Sequence, residues 1–380
     1  MPIFDQGYQH WNGQLAGQTW RWLVITRQGL RAGMKNIIVR GVLLLAWIPA
    51  VALSVFLCIW GLLERQSDLL SGIMPILRLM GSSIVSDPKH YRLVIWTICF
   101  DRFLTVELYF SIILILLMGP NLISQDLRFN ALPLYLSRPL RRIDYFLGKL
   151  GIVAALIAMV MIVPSIIAYL LGLLLSLDIT IVRDTYSLLL ACILYGAILA
   201  VSAGLLILAL SALSRNSRYV ALFWIGLLLL GFVLWQTLDN VAANQRRRDY
   251  YSSRAEFFQR PPRGLRGRGD RQRQDRIWFD QFSRMQEELD AQELAAAKTD
   301  WRPLLSYSGN LARLREGLLN TNAQWETLAS LQPGGATPRF RLNVFNPSFP
   351  LRWSTIVLLS LFGLSTWILN VKVRSLDRLK

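Results

Sequence analysis

Residues 124–149 read SQDLRFNALPLYLSRPLRRIDYFLGK, and where this stretch sits decides the fold. Asp126, Arg128, Asn130, Ser137, Arg138, Arg141, Arg142, Asp144 and Lys149 are gathered between two long apolar runs. A charged side chain at the bilayer centre costs about 2.5 to 3.5 kcal/mol even on the lenient insertion scale, so this group cannot lie together in hydrocarbon. The stretch is therefore a loop in water that joins two membrane spans.

Working outward from it, six apolar runs emerge: 41–63, 104–122, 150–177, 188–213, 219–238 and 354–371. At a rise of about 1.5 Å per residue, each can cross a hydrocarbon core about 30 Å thick. With 53% hydrophobic residues and a positive mean hydropathy, the chain reads as an all-α integral membrane protein of six transmembrane helices. Pro49 and Pro164 fall inside their runs and predict kinks, because each removes a backbone donor and crowds the turn before it. The first run begins only after about 40 residues and is long enough to span, which does not fit a cleavable signal.

Ahead of the first run, 20–40 mixes Trp20, Trp22, Leu23 and Leu30 with Arg21, Arg27, Arg31, Lys35 and Arg40. This suits a helix lying in the headgroup layer, with a plain solvated arm as the alternative. Orientation follows from the cations. With the N-terminus cytoplasmic, the short inner segments hold 16 Lys and Arg, whereas the outer segments 64–103 and 178–187 hold 5 and 1. Both termini then face the cytoplasm, in the cytoplasmic (inner) membrane. The segment 239–353 carries 19 further cations, yet long loops translocate largely regardless of charge, so it is placed outside.

The expected organisation is thus a cytoplasmic arm with an interfacial helix over 1–40 and spans one to five over 41–238. An extracytoplasmic insertion over 239–353 precedes the sixth span and tail over 354–380. Within the insertion, 239–276 has 11 basic against 5 acidic residues and little to bury, which reads as a loosely held Arg-rich loop. Such Arg-Gly tracts can contact nucleic acid, but no such partner is expected outside the cytoplasm; anionic headgroups suit the loop better. Beyond it, Trp278, Phe282, Met285 and Leu289 share one helical face, and a second helix capped by Asn310 places Leu311, Leu314 and Leu318 together. A helical cap packed on the membrane domain or on a twin copy is expected.

The chain carries no signature of an enzyme. Nothing matches G-x-x-x-x-G-K-[ST], H-E-x-x-H or G-x-S-x-G, and Cys58, Cys99, Cys192, His10 and His90 show no metal-ligand spacing. Glu107 is the one acid near the start of the second run. It reads as an interfacial residue, with a possible intramembrane polar role in a proton or cation relay as the sharper alternative.

In the central loop, Pro139 suits the first turn of a helix next to Ser137 or Arg138. Ile143, Phe146, Leu147 and Leu150 then define the face expected to be buried, with Arg141, Arg142, Asp144 and Lys149 turned to the cytoplasm. The apolar piece LPLYL over 132–136 either packs on the membrane surface or fills a groove on a partner, with the surrounding charges fixing register.

The sequence LISQDLRFNALPLYLSRPLRRIDYFLGKL resembles the intracellular loop of ABC transporter permeases of the type-two exporter superfamily. There an acidic residue, an "lylSrP" core and a "dY-x-x-GK" ending lie between the second and third spans. The Trp353-Ser354 start of the last span and the tail VKVRSLDRLK are similar too, whereas 239–298 looks like an insertion. The resemblance implies a half-transporter, paired with a second permease copy or paralogue, whose loop docks on a separate ATP-binding cassette subunit. ATP and Mg would sit on that subunit, with no cofactor on this chain. Carried over, the coupling residues would be Asp126, Arg128, Asn130, Leu132, Leu134, Leu136, Ser137, Arg138 and Pro139. Arg141, Asp144, Tyr145, Gly148 and Lys149 would anchor the loop to the third span. Without the resemblance, a secondary transporter or channel, or a scaffold recruiting an envelope partner, remain the competing readings.

Overall fold

The structure, a computed structural model, describes residues 20–65, 86–131, 142–176, 180–253, 268–330 and 349–374, and these contain helices and no strand. We number the helices in chain order: α1 (Arg21–Gly33), α2 (Ile37–Glu64), α3 (Pro88–Met118), α4 (Asn121–Arg128) and α5 (Arg142–Ile157). A π-helical turn (Ala158–Ile162) leads into α6 (Val163–Ser176), followed by α7 (Thr180–Leu213) and α8 (Ser217–Ser253). The chain continues as α9 (Arg268–Ala297), a 3₁₀ turn (Arg302–Leu305), α10 (Tyr307–Leu319), α11 (Thr321–Ala329) and α12 (Leu351–Arg374). Six are long and apolar enough to cross a membrane: α2, α3 with α4, α5 with α6, α7, α8 and α12.

The core lies between α3 and α7, whose apolar windows are more than half buried, while α2, α8 and α12 bury less than a quarter of theirs. In a bilayer those exposed apolar faces meet lipid or another protein rather than water. Leu57, Trp96, Phe100, Leu104, Tyr195 and Ile207 are among the fully enclosed side chains of this core. The π turn sits just ahead of Pro164, whose ring cannot donate a backbone hydrogen bond, and widening the helix there accommodates the defect.

Three expectations from the sequence need correction. First, the second span begins sixteen residues before its apolar run. Asp87 caps α3, its Oδ1 accepting from the His90 N–H at 3.4 Å, and Pro88 occupies the first turn where its missing donor costs nothing. Second, 239–276 is not one loose loop. Residues 239–253 continue α8 as helix about 22 Å beyond its apolar run, and α9 starts at Arg268. Arg247 holds Glu293 through Nε at 2.7 Å and Nη2 at 3.2 Å, and Tyr250 donates to the Met285 carbonyl at 2.8 Å, so α8 and α9 form a hairpin. Met285 and Leu289 pack inward there, while Trp278 stays partly exposed, stacked on Phe282.

Third, Asn310 lies inside α10 and Ser306 is the cap, accepting from the Gly309 N–H at 3.1 Å. Asn310 is buried and donates through Nδ2 to the carbonyls of Leu304 and Ser306. The start of α10 also sits lower than a cap would. Tyr307 meets Ser202 of α7 at 3.0 Å and stands edge-on to Trp224 of α8. At Gly231 the Leu305 carbonyl lies so close that a Cβ would fall 2.6 Å from it; only glycine admits the segment at the level of the α8 apolar run.

Candidate functional site

The loop after the second span is built from its helix termini. The chain turns at Gly119-Pro120, and the first N–H groups of α4 have no partner in their own helix. Ser211 of α7 supplies one: its hydroxyl accepts from the Ile123 N–H at 3.0 Å and the Ser124 N–H at 2.9 Å, and donates to the Pro120 carbonyl at 3.0 Å. Ser124 Oγ also donates to the Pro120 carbonyl. Pinned in this way, α4 points its last turn at the start of α5. It ends at Phe129, with Asn130 in the left-handed conformation at φ 49°, which an asparagine tolerates better than most residues.

Asp126 is the joint. Its Oδ2 accepts from the Tyr145 hydroxyl at 2.7 Å and lies 2.7 Å from the Lys149 ammonium, whose Nζ also stands 5.5 Å from the centre of the Tyr145 ring. The side chains of Asp126 and Lys149 are each only 14% exposed, so water screens the pair weakly. Asp144 is half-buried in the first turn of α5, where a carboxylate faces the positive end of the helix. Arg128 is exposed, its guanidinium near the Phe129 ring. Leu132, Leu134, Leu136, Ser137, Arg138, Pro139 and Arg141 lie outside the described residues.

The face of α5 that packs is rotated from the one expected. Phe146 and Leu150 are half-buried against the core as expected, but Ile143 and Leu147 are exposed, while Tyr145, Gly148 and Ile152 are buried. The reason is α1, which crosses α5 at Gly148. A Cβ there would fall 2.7 Å from Ile25 Cβ and 3.0 Å from the Trp22 carbonyl, and Thr26 Oγ1 donates to the Gly148 carbonyl at 3.0 Å. Lys149 accordingly turns into the Asp126 pair instead of out to solvent. The glycine and lysine of the Gly148-Lys149 pair thus hold α1 and α4, respectively, against the third span.

At the opposite end of the spans lies an assembly that sequence reasoning missed by assigning 64–103 to a loop. Arg92 grips Glu64 through Nε at 2.8 Å and Nη2 at 2.7 Å, and Trp60 Nε1 donates to Glu64 Oε1 at 2.9 Å. Ser176 Oγ reaches Glu64 Oε2 at 3.4 Å, and Arg92 Nη1 reaches Thr180 at 3.3 Å and Asp184 at 3.5 Å. Four spans, α2, α3, α6 and α7, are tied at one buried pair. The signal was present in the Asp87-Pro88 helix start and the apolar LVIWTICF over 93–100.

About two and a half helical turns further along α3, Asp101 Oδ1 accepts from Arg315 Nε at 2.7 Å with both side chains buried, joining α3 to α10. Arg102 stands 3.8 Å from Asp101 and over the Trp325 ring of α11. Glu107 lies mid-helix, about 28 Å along α3, fully enclosed rather than at a boundary. Neither of its carboxylate oxygens, nor Ser111 Oγ one turn on, has a hydrogen-bond partner among the described residues.

Six long apolar helices among the described residues, with α4 fastened to the third of them and α10 packed between α7 and α8, are those of a multi-pass membrane protein. Residues 41–305, well over half the chain, match the sequence profile of the ABC-2 family transporter proteins, and the chain belongs to that family. It is a membrane permease subunit of an ABC transporter, a class that is not itself catalytic and works with an ATP-binding cassette subunit. A comparison with curated proteins returned no match.

Proposed function

We propose that this permease is an exporter half that takes up force from a separate ATP-binding cassette subunit through residues 126–139. The observation that carries the reading is the Asp126, Tyr145 and Lys149 triad, which ties the emerging loop to the third span with a partly buried ion pair. A push on the loop would reach α5 without loss, because α4 is also pinned to α7 by Ser211. Rigid elements joined at both ends are what converts closure of an ATPase dimer into helix rotation. The cation asymmetry supports placing the loop and both termini in the cytoplasm, and α1, with its exposed Trp20, Leu23 and Val24, in the adjoining headgroup layer.

The partner chain would hold ATP and Mg. A second permease copy or a paralogue would cover part of the lipid-facing surface of α2, α8 and α12, whose apolar windows are less than a quarter buried in the single chain. The experiment is co-purification of the ATPase subunit with the tagged permease from solubilised membranes. The pair of substitutions Leu136→Ala and Arg138→Ala is expected to abolish co-purification while the permease still reaches the membrane at normal levels. Unaltered association in that variant contradicts the docking assignment.

A further inference from the structure

Between α3, α8 and α10 runs a cavity of about 600 Å³ whose contents the family reading does not specify. It is long and narrow. On α3 it extends from Arg102 to Leu116 and on α8 from Trp224 to Gln236, which corresponds to about 20 Å along the helix axes. Most of its wall is hydrocarbon: Leu108, Ile112, Leu116, Leu228 and Phe232 among others. Among the described residues no acidic side chain lines it, and its two charged residues are arginines, at the end nearer Asp101.

Those arginines are not equivalent. Arg315 is buried and committed through Nε to Asp101, but its Nη1 makes no well-formed hydrogen bond among the described residues, although the Tyr195 hydroxyl is nearby. Arg102 has 60% of its side chain exposed, with a loose approach of 3.8 Å to the same aspartate and the Trp325 ring beneath it. The buried Glu316 also acts on Arg315 and lies 3.7 Å from Arg313, so three guanidinium groups meet two carboxylates and an excess positive charge remains at one end of an apolar slot. A buried guanidinium with donor capacity to spare, beside a second arginine that is mostly exposed, favours an anion, and the 20 Å of hydrocarbon wall behind it favours a chain.

We infer that this cavity binds a chain-bearing amphiphile with an anionic phosphate or carboxylate head as transported cargo, the head at Arg102 and Arg315 and the chain lying along α3 and α8 toward Leu116 and Trp224. The inference rests on the permease reading and names the substrate class for it. An arginine pair discriminates by charge, whereas the apolar wall is indifferent to all but length and width; selectivity therefore resides in the head. Arg315 positions Asp101 and α10 as well, so Arg102 is the residue to test for head recognition.

The test uses purified permease in peptidiscs, with oleoyl lysophosphatidate as the anionic probe and oleoyl lysophosphatidylcholine as the zwitterionic one of the same chain, binding being read by native mass spectrometry. The wild type is expected to prefer the anionic probe by about tenfold or more, the scale of one charge-assisted hydrogen bond. Arg102→Gln should reduce that preference to under about threefold, and Leu229→Trp, at an exposed position that lines the cavity, should weaken both probes about tenfold. Equal binding of the two heads, or full binding in Leu229→Trp, overturns the assignment. With the ATPase subunit present, the anionic probe should raise ATP hydrolysis in a way that Leu229→Trp abolishes; binding without stimulation marks a resident lipid and overturns the cargo role. Loss of probe binding with the ATPase still associated rejects this inference alone, whereas failure of the ATPase to associate rejects the reading beneath it.

Discussion

Arg92→Met is expected to destabilise the protein by about 3 to 5 kcal/mol, the cost of stranding one member of a buried ion pair. Glu64 would keep the indole donor of Trp60 and the distant Ser176 hydroxyl, but lose both guanidinium bonds in a site only 2% exposed. Because the pair ties α2, α3, α6 and α7, the loss should appear as cooperative thermal unfolding of the solubilised permease at markedly lower temperature and as reduced accumulation in the membrane. Glu64→Gln alone should cost less, since an amide needs less solvation than a carboxylate yet leaves Arg92 with Asp184 at 3.5 Å as its nearest counter-charge. The double variant Glu64→Gln with Arg92→Met should recover part of the loss, as replacing both partners removes the unpaired charge. A thermal midpoint in Arg92→Met equal to that of the wild type would show that the pair is dispensable.

Asp126→Ala is expected to leave folding and ATPase association in place and to reduce ATP-driven transport about tenfold or more. The substitution removes an ion pair and the acceptor for the Tyr145 hydroxyl, both at 2.7 Å and both largely out of water. Hydrogen bonds to a charged group contribute about 1.5 to 3 kcal/mol each, and about 1.4 kcal/mol is a factor of ten in the population of the seated loop. The docking surface proposed above, over 132–139, would remain, so binding and coupling should separate. Asp126→Asn, which keeps an acceptor for Tyr145 but not the charge for Lys149, should fall between. Transport and ATPase association that fall together in Asp126→Ala would mean that Asp126 serves docking and not transmission.

Much of this was legible in the chain because a bilayer makes the sequence strict: six apolar runs and one charged stretch leave little freedom in how the helices thread the membrane. The partners of the loop were legible only as a resemblance. Asp126, Tyr145 and Lys149 are close in the chain, yet periodicity selected Ile143, Phe146, Leu147 and Leu150 as the packed face, of which only Phe146 and Leu150 pack. That choice assumed water on the other side; in a membrane protein exposed isoleucine and leucine are ordinary, and a glycine contact with α1 decides the orientation. The Glu64 and Arg92 pair escaped for the same reason in reverse. Charges near a span end were assigned to solvent, whereas each is satisfied by the other inside the bundle. The extension of α8 past 238 was hidden because a helix made stable by a partner helix need not be apolar.

The account depends on the 124–149 loop facing the nucleotide pool. The direct measurement is labelling of Asn130→Cys by a membrane-impermeant maleimide, in a chain whose Cys58, Cys99 and Cys192 have been replaced by alanine. Asn130 is exposed at the end of α4, so the introduced thiol should be reactive wherever it meets water. Labelling in inside-out vesicles and none in intact cells is the predicted result. Labelling in intact cells, with protection in inside-out vesicles, would place the loop away from any ATPase and contradict the account.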